Sequence, residues 1–233
     1  MNFVKSYCPA LEELFRNSFK RLHRIAISCN DRLLVPQYRD GGGRISEQEL
    51  KHVFIQEFLS CPTFEGWKYS IETPSVNIYK FTCGHKPLSE FKIGPDHGGR
   101  SANIDLCLYC DNKPSVLIEF KANNPGHFEH GKDFFKLENE PNDSLKYFVE
   151  LYQNTDKATM KSIEEKLFIN TYCKLPENVS FLGFSLYDKD LRGPAQIVVD
   201  RTTAPISIKA VKIRKSLFSY SLPSSSMQQS LHR

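Results

Sequence analysis

Hydrophobic positions in this chain recur with two different periods, and the switch between them marks out the elements. From about residue 9 to residue 28, Leu11, Leu14, Phe15, Phe19, Leu22 and Ile25 return every three or four positions, the spacing of an amphipathic helix, with Pro9 suited to its first turn. Its other face carries Arg16, Lys20, Arg21 and Arg24, a solvated surface or a set of phosphate contacts. Asp40 and three consecutive glycines, Gly41 to Gly43, then break any regular element. A second helix is predicted from about Ser46, with Glu49 as its capping-box partner and Leu50, Val53, Phe54, Phe58 and Leu59 as its buried stripe. Strands follow at residues 67–73 and 76–82, joined by a Thr73-Pro74-Ser75 turn. Beyond the polar loop 91–103 come a β-hairpin over 103–122, helices at about 131–138, 144–153 and 157–167, and strands at 179–187, 195–199 and 206–213. Helix, strands, helices, then strands is an α/β arrangement.

The hairpin reads NIDLCLYCDNKPSVLIEFKA from Asn103 to Ala122. A three-residue loop centred on Asn112 sets Asp105 across from Glu119 and Asn103 across from Lys121, which gathers the polar groups on one face. The opposite face pairs Ile104 with Phe120, Leu106 with Ile118 and Leu108 with Val116. A change of one residue in loop length would separate the two carboxylates, and a bulge would restore them. Adjacent carboxylates repel unless a proton or cation lies between them. Magnesium, which prefers hard oxygen ligands and takes one or two protein carboxylates, suits the pair, and Lys121 can reach a water or phosphate held there.

Asp105 after a Gly98-Gly99 loop, the short hairpin and Glu119-Phe120-Lys121 together resemble the signature of the PD-(D/E)xK nuclease superfamily, the restriction-endonuclease-like fold; Ile104 stands where a proline is often found. The resemblance implies a central mixed β-sheet flanked by helices with an N-terminal helical extension. Residues 1–43 would be that extension, 44–222 the nuclease-like domain and 223–233 a serine- and glutamine-rich disordered tail. It implies a metal-dependent nuclease that hydrolyses phosphodiester bonds, in DNA ahead of RNA, through Asp105, Glu119 and Lys121. Mg2+, for which Mn2+ substitutes, would be held by Asp105, Glu119 and the backbone carbonyl of Phe120. An upstream helical glutamate completes such sites; Glu47, Glu49 and Glu57 qualify, with Glu49 favoured although capping its own helix is an equal use for it. His97 and Arg100, in the loop entering the Asp105 strand, are candidate substrate contacts. The segment 132–141 resembles the helix behind the catalytic strand, with Asp133 and Lys136 read as a local ion pair. The alternative is a catalytically silent module of the same fold that binds nucleic acid or protein. Cutting of both strands would call for a homodimer.

Composition narrows the classes. With 40% hydrophobic and 25% charged residues the 233-residue chain is ordinary for a globular protein, and its net charge of +4 is compatible with a polyanionic partner. Seven scattered cysteines do not form a disulfide framework, and the apolar run of a membrane span or signal core is lacking, so an intracellular, cytoplasmic protein is expected. Cys107 and Cys110 form a CxxC, but on an extended strand they point to opposite faces and are read as packing residues, not zinc ligands. Neither a phosphate-binding Gly-x-x-x-x-Gly-Lys loop nor a dinucleotide glycine fingerprint is present.

Overall fold

The computed structural model describes residues 9–28, 32–36, 39, 45–81, 90–169, 174–200 and 206–213. The expected glycine loop 41–43 and tail 223–233 lie outside the described residues. Two helices open the chain, α1 (Pro9–Ser28) and α2 (Glu47–Leu59). They lead to β1 (Lys68–Lys80), the two-residue β2 (Lys92–Ile93), β3 (Arg100–Cys110) and β4 (Lys113–Ala122). The second half runs α3 (His127–Asn139), β5 (Leu145–Asn154), α4 (Lys157–Glu164), β6 (Ser180–Asp188), β7 (Gly193–Asp200) and β8 (Ser207–Lys212). The strands form one eight-stranded sheet in the order β2-β1-β3-β4-β5-β6-β7-β8. Strands β4, β5 and β6 are parallel and the other pairs antiparallel, so this is an α/β fold with a central mixed sheet flanked by helices.

Each face of the sheet buries its own core. Leu11, Phe15, Phe19 and Leu22 of α1 and Leu50, Val53 and Phe54 of α2 pack on Leu106, Ile118, Phe120, Tyr147, Val149 and Phe184. Phe15 stacks on Phe54 with ring centroids 4.5 Å apart. On the opposite face Phe134 and Leu137 of α3 and Ile163 of α4 cover Cys107, Leu117, Phe148 and Phe181. Among the described residues no helix is long and apolar enough to cross a membrane.

Four local predictions are corrected. The helix expected over 144–153 is the strand β5. Leu145, Phe148, Val149 and Tyr152 recur at helical spacing, but the segment sits between two parallel neighbours and buries both faces. The two strands expected at 67–73 and 76–82 are one strand, β1, with an irregularity between Pro74 and Ile78 in place of a turn. Glu140, at the end of α3, accepts the N–H groups of Val76 and Asn77 there, at 2.9 and 3.3 Å. The hairpin loop is two residues, Asp111 and Asn112, with φ of 51° and 59°, the left-handed pair of a tight hairpin turn. A bulge between Leu108 and Tyr109 restores the expected register, so Leu106 pairs with Ile118 and Leu108 with Val116. Finally, Ile104 joins the α3 core and not the α1–α2 core that holds Leu106 and Leu108. The alternation of β3 breaks at the intervening residue, Asp105.

Candidate active site

That break arises because Asp105 takes over a backbone role. The ladder between β3 and β4 runs to Leu106 opposite Ile118, and beyond it the Phe120 N–H donates to Asp105 Oδ2 at 2.8 Å. The carboxylate thus stands where a ladder carbonyl would otherwise accept. N–H and C=O of one strand residue point to the same edge, so the Phe120 carbonyl is directed to this side as well. The far edge of β4 is fully engaged by β5, with Glu119, Phe120 and Lys121 in register with Phe148, Val149 and Glu150.

Glu119 and Lys121 both turn to α3. Lys121 Nζ lies 2.8 Å from Asp133 Oδ2, and Lys136 Nζ bridges Glu119 Oε1 at 2.7 Å and Asp133 Oδ1 at 3.1 Å. Lys136 also donates to the Asn103 carbonyl at 2.6 Å, which ties α3 to β3. Asp105, Glu119, Lys121, Asp133 and Lys136, with Arg100 and Lys132 on the walls, line a cavity of about 720 Å³ between the sheet and α3. Its lip is Gly98 and Gly99; a Cβ on Gly99 would lie 2.6 Å from the Tyr79 carbonyl oxygen, so only glycine permits this approach.

The electrostatics follow from burial. Glu119 is 2% exposed, and burial, then the charge of Asp133, pushes its carboxyl well above the ordinary range, with Lys136 only partly opposing. Asp133 is as deeply buried, yet the charges of Lys136 and Lys121 outweigh the desolvation and lower its pKa. Burial alone would lower Lys121, but Asp133, Glu119 and Asp105 more than compensate and raise it. Lys121 is therefore an ammonium at neutral pH, suited to orienting a water or neutralising a phosphate and not to accepting a proton.

Glu49, the favoured upstream glutamate, caps α2: its Oε2 accepts the Ser46 N–H at 2.8 Å. Glu57 pairs with Arg21 of α1 at 3.1 Å. Glu47 does not line the cavity, but it lies within reach of its charges: burial raises its pKa, and Lys121, Asp105 and Lys51 are the next groups that act on it. Asn123 and Asn124 follow β4 in a left-handed turn, with φ of 65° and 54°. Asn123 donates its N–H to the Leu151 carbonyl and its side-chain amide to the Ile45 carbonyl, at 3.0 and 2.9 Å, fastening the end of β4 beside the start of α2. Arg100 lines the cavity, whereas His97 lies in the exposed turn Pro95–His97 outside it. Cys107 is a buried free thiol, pushed up to about 11 by burial, and the half-buried Cys110 is free as well.

Sequence reasoning missed three groups. Asp133 and Lys136 were expected to pair with each other, and they do, but that pair also holds Glu119 and Lys121. Both lie 2–5% exposed within the apolar stripe of α3, and charge inside an apolar stripe was the available signal. Lys51 carries the same signal, since it is buried beside Leu50 and Val53 on α2 and stands 3.6 Å from Asp105 Oδ1.

As a metal site the residues fit in part. Among the described residues no group of three His, Cys, Asp or Glu side chains is arranged to hold a metal ion. The donors, however, are hard oxygens. Glu119 Oε1 and Asp133 Oδ2 are fully buried and lie near ammonium groups without hydrogen-bond alignment, as oxygens that a cation could satisfy. One or two protein carboxylates plus waters suffice for Mg2+. Comparisons with family models, curated proteins and solved structures return no match.

Proposed function

We propose that the chain is a metal-dependent nuclease with a restriction-endonuclease-like core. The observation that carries this reading is the meeting of Asp105 and Glu119, from adjacent strands, with Lys121 in one cavity whose walls add Arg100 and Lys132. Acidic floor and basic walls suit a polyanion bound through a cation. Bound there, Mg2+ or Mn2+ would lower the pKa of a water and offset charge on the scissile phosphate. Asp105, Glu119 and the Phe120 carbonyl would hold it, with Glu47 the upstream glutamate in place of Glu49.

The remaining work falls to side chains. Asp133 fixes Lys121 as an ammonium that can donate a hydrogen bond to a non-bridging phosphate oxygen. As the water oxygen bonds to phosphorus the water gives a proton to solvent, and the oxygen released when the P–O ester bond breaks takes one up from solvent. Lys136 holds Glu119 in place and, by taking a share of its charge, limits the repulsion with Asp133. Arg100 and Lys132 would receive flanking phosphates. DNA is the first substrate to test, with RNA second.

One observation favours a second reading, the catalytically silent nucleic-acid-binding or protein-binding module. Lys136 sits on Glu119 and Lys51 near Asp105, so each carboxylate already has a cation beside it. The experiment that separates the two is strand cleavage of single- and double-stranded DNA and RNA, in Mg2+ or Mn2+ with and without chelator, by wild type, Asp105→Ala, Glu119→Ala and Lys121→Ala. Chelator-sensitive cleavage lost in all three variants supports the nuclease. Nucleic-acid binding without cleavage supports the silent module, and equal cleavage by all four proteins removes the assignment.

A further inference from the structure

Asp105 has one partner within the sheet and one on its α2 face. Its Oδ2 accepts the Phe120 N–H, and its Oδ1 faces Lys51 Nζ at 3.6 Å. Lys51 comes from α2, on the face opposite α3, and its side chain is 5% exposed. The same ammonium donates to Glu72 Oε1 at 3.2 Å. Glu72 lies directly across from Asp105 in the β1–β3 ladder, because its neighbours Ile71 and Thr73 pair with Leu106 and Ile104. It is also in the left-handed region, with φ of 51°, in the middle of a strand. A residue with a Cβ stays there only where its surroundings hold it, and strain of this kind concentrates at sites where a side chain must be aimed. The side chain aimed by that conformation meets Lys51. Glu72 is half exposed, so nothing in its burial alone demands this conformation.

We propose that Lys51 is a positioning residue that acts through Asp105, and that Glu72 sets the strength of its pull, so that the pair tunes how tightly the site binds a divalent cation. This rests on the nuclease reading, in which Asp105 is a cation ligand. An ammonium beside a ligand carboxylate competes for its lone pairs and repels the incoming cation. Glu72 draws that ammonium off and offsets its charge. The Phe120 N–H keeps Asp105 aimed between the strands; Lys51 keeps the cation weakly bound and exchangeable, and Glu72 limits the penalty.

The two partners should move affinity in opposite directions. Mn2+ binding to the full chain is measured by calorimetry for wild type, Lys51→Met, Glu72→Gln, the double variant and Asp105→Asn, with thermal melting of each. Lys51→Met, close in volume, removes the competitor and tightens Mn2+ binding by about tenfold, an ordinary coupling between neighbouring sites. Glu72→Gln leaves Lys51 wholly to Asp105 and weakens binding by about threefold, within the same range of couplings. The double variant behaves like Lys51→Met, since Glu72 acts only through the lysine. A merely structural pair would lower melting temperatures and leave affinities alone. If Mn2+ binds in an Asp105-dependent way but Lys51→Met and Glu72→Gln leave it unchanged or shift it in one direction, the positioning role is overturned while the nuclease reading stands. If Asp105→Asn binds Mn2+ as wild type does, the cation assignment fails and this proposal with it. Glu72→Gln alters a half-exposed side chain, so it reports on the pair even where Lys51→Met does not fold.

Discussion

Glu119 and Asp133 are equally buried, share Lys136, and shift in opposite directions. Asp133 holds two ammonium groups, while Glu119 has one that it must divide. Substitution should therefore separate them. Glu119→Gln is expected to abolish metal-dependent cleavage, by about a hundredfold or more, without destabilising the fold. Because the folded state holds the Glu119 proton to a higher pH than the unfolded chain does, wild-type stability falls as pH rises above the ordinary carboxylate range. Glutamine removes that loss, so the melting temperature of Glu119→Gln relative to wild type should rise from pH 5 to pH 8. Asp133→Asn does the reverse, because it strands Lys121 and Lys136 without their shared anion. Breaking a buried pair from one side costs about 3–5 kcal/mol, which urea denaturation at pH 7 will read. The lowered pKa of Asp133 means its contribution is present at neutral pH and lost as pH falls through the acid range, so the gap between Asp133→Asn and wild type should narrow on acidification.

At the scale of elements, α2 divides its glutamates between folding and chemistry. Ser46 and Glu49 form a reciprocal capping box, which the spacing of the two residues already announced. Ser46→Ala and Glu49→Gln should each cost about 1 kcal/mol of stability and leave Mn2+ affinity unchanged, while Glu47→Gln should weaken Mn2+ binding with little effect on melting. A Glu49→Gln variant that binds Mn2+ poorly but melts like wild type would reverse that assignment. The same contrast shows what could be read from the chain. The hairpin register was legible because one face is apolar throughout from Leu106 to Leu108 and Val116 to Ile118, and a slip by one residue would expose all of it. Helix α1 was legible from Pro9 to Ser28 for the same reason, an unbroken stripe. Strand β5 was not, because Lys146 and Glu150 are buried within it by partners that only the folded chain brings to them: the Glu138 and Glu140 carbonyls for the lysine, and His130 and Tyr152 for the glutamate. A charge satisfied by tertiary structure looks, in sequence, like a solvated position, and the remaining apolar residues then fit a helix. The roles of Lys51, Asp133 and Lys136 were hidden by the same effect.

The whole molecule depends on both helical layers, and this bears on whether the first helix is an appendage. Leu11, Phe15, Phe19 and Leu22 are 0–1% exposed, and the surfaces they cover include Phe120, the residue between Glu119 and Lys121. Arg16 reaches Gln196 of β7 at 3.1 Å and Arg21 reaches Glu57 of α2 at 3.1 Å, so α1 spans from the second helix to the far half of the sheet. Burying each of those four side chains contributes about 1.5–3 kcal/mol, together roughly 6–12 kcal/mol. That is comparable to the entire stability of an ordinary domain, about 5–15 kcal/mol. Deleting residues 1–28 should therefore abolish cooperative unfolding and not merely trim an extension. The truncated chain is expected to lose near-ultraviolet dichroism, bind a hydrophobic dye and show no saturable Mn2+ binding, because the strand that carries Glu119 and Lys121 would lose α1 from the layer that seats Phe120. A truncated chain that still melts in one sharp transition and binds Mn2+ like the full protein would show that α2, α3, α4 and the sheet hold the cavity in shape without α1.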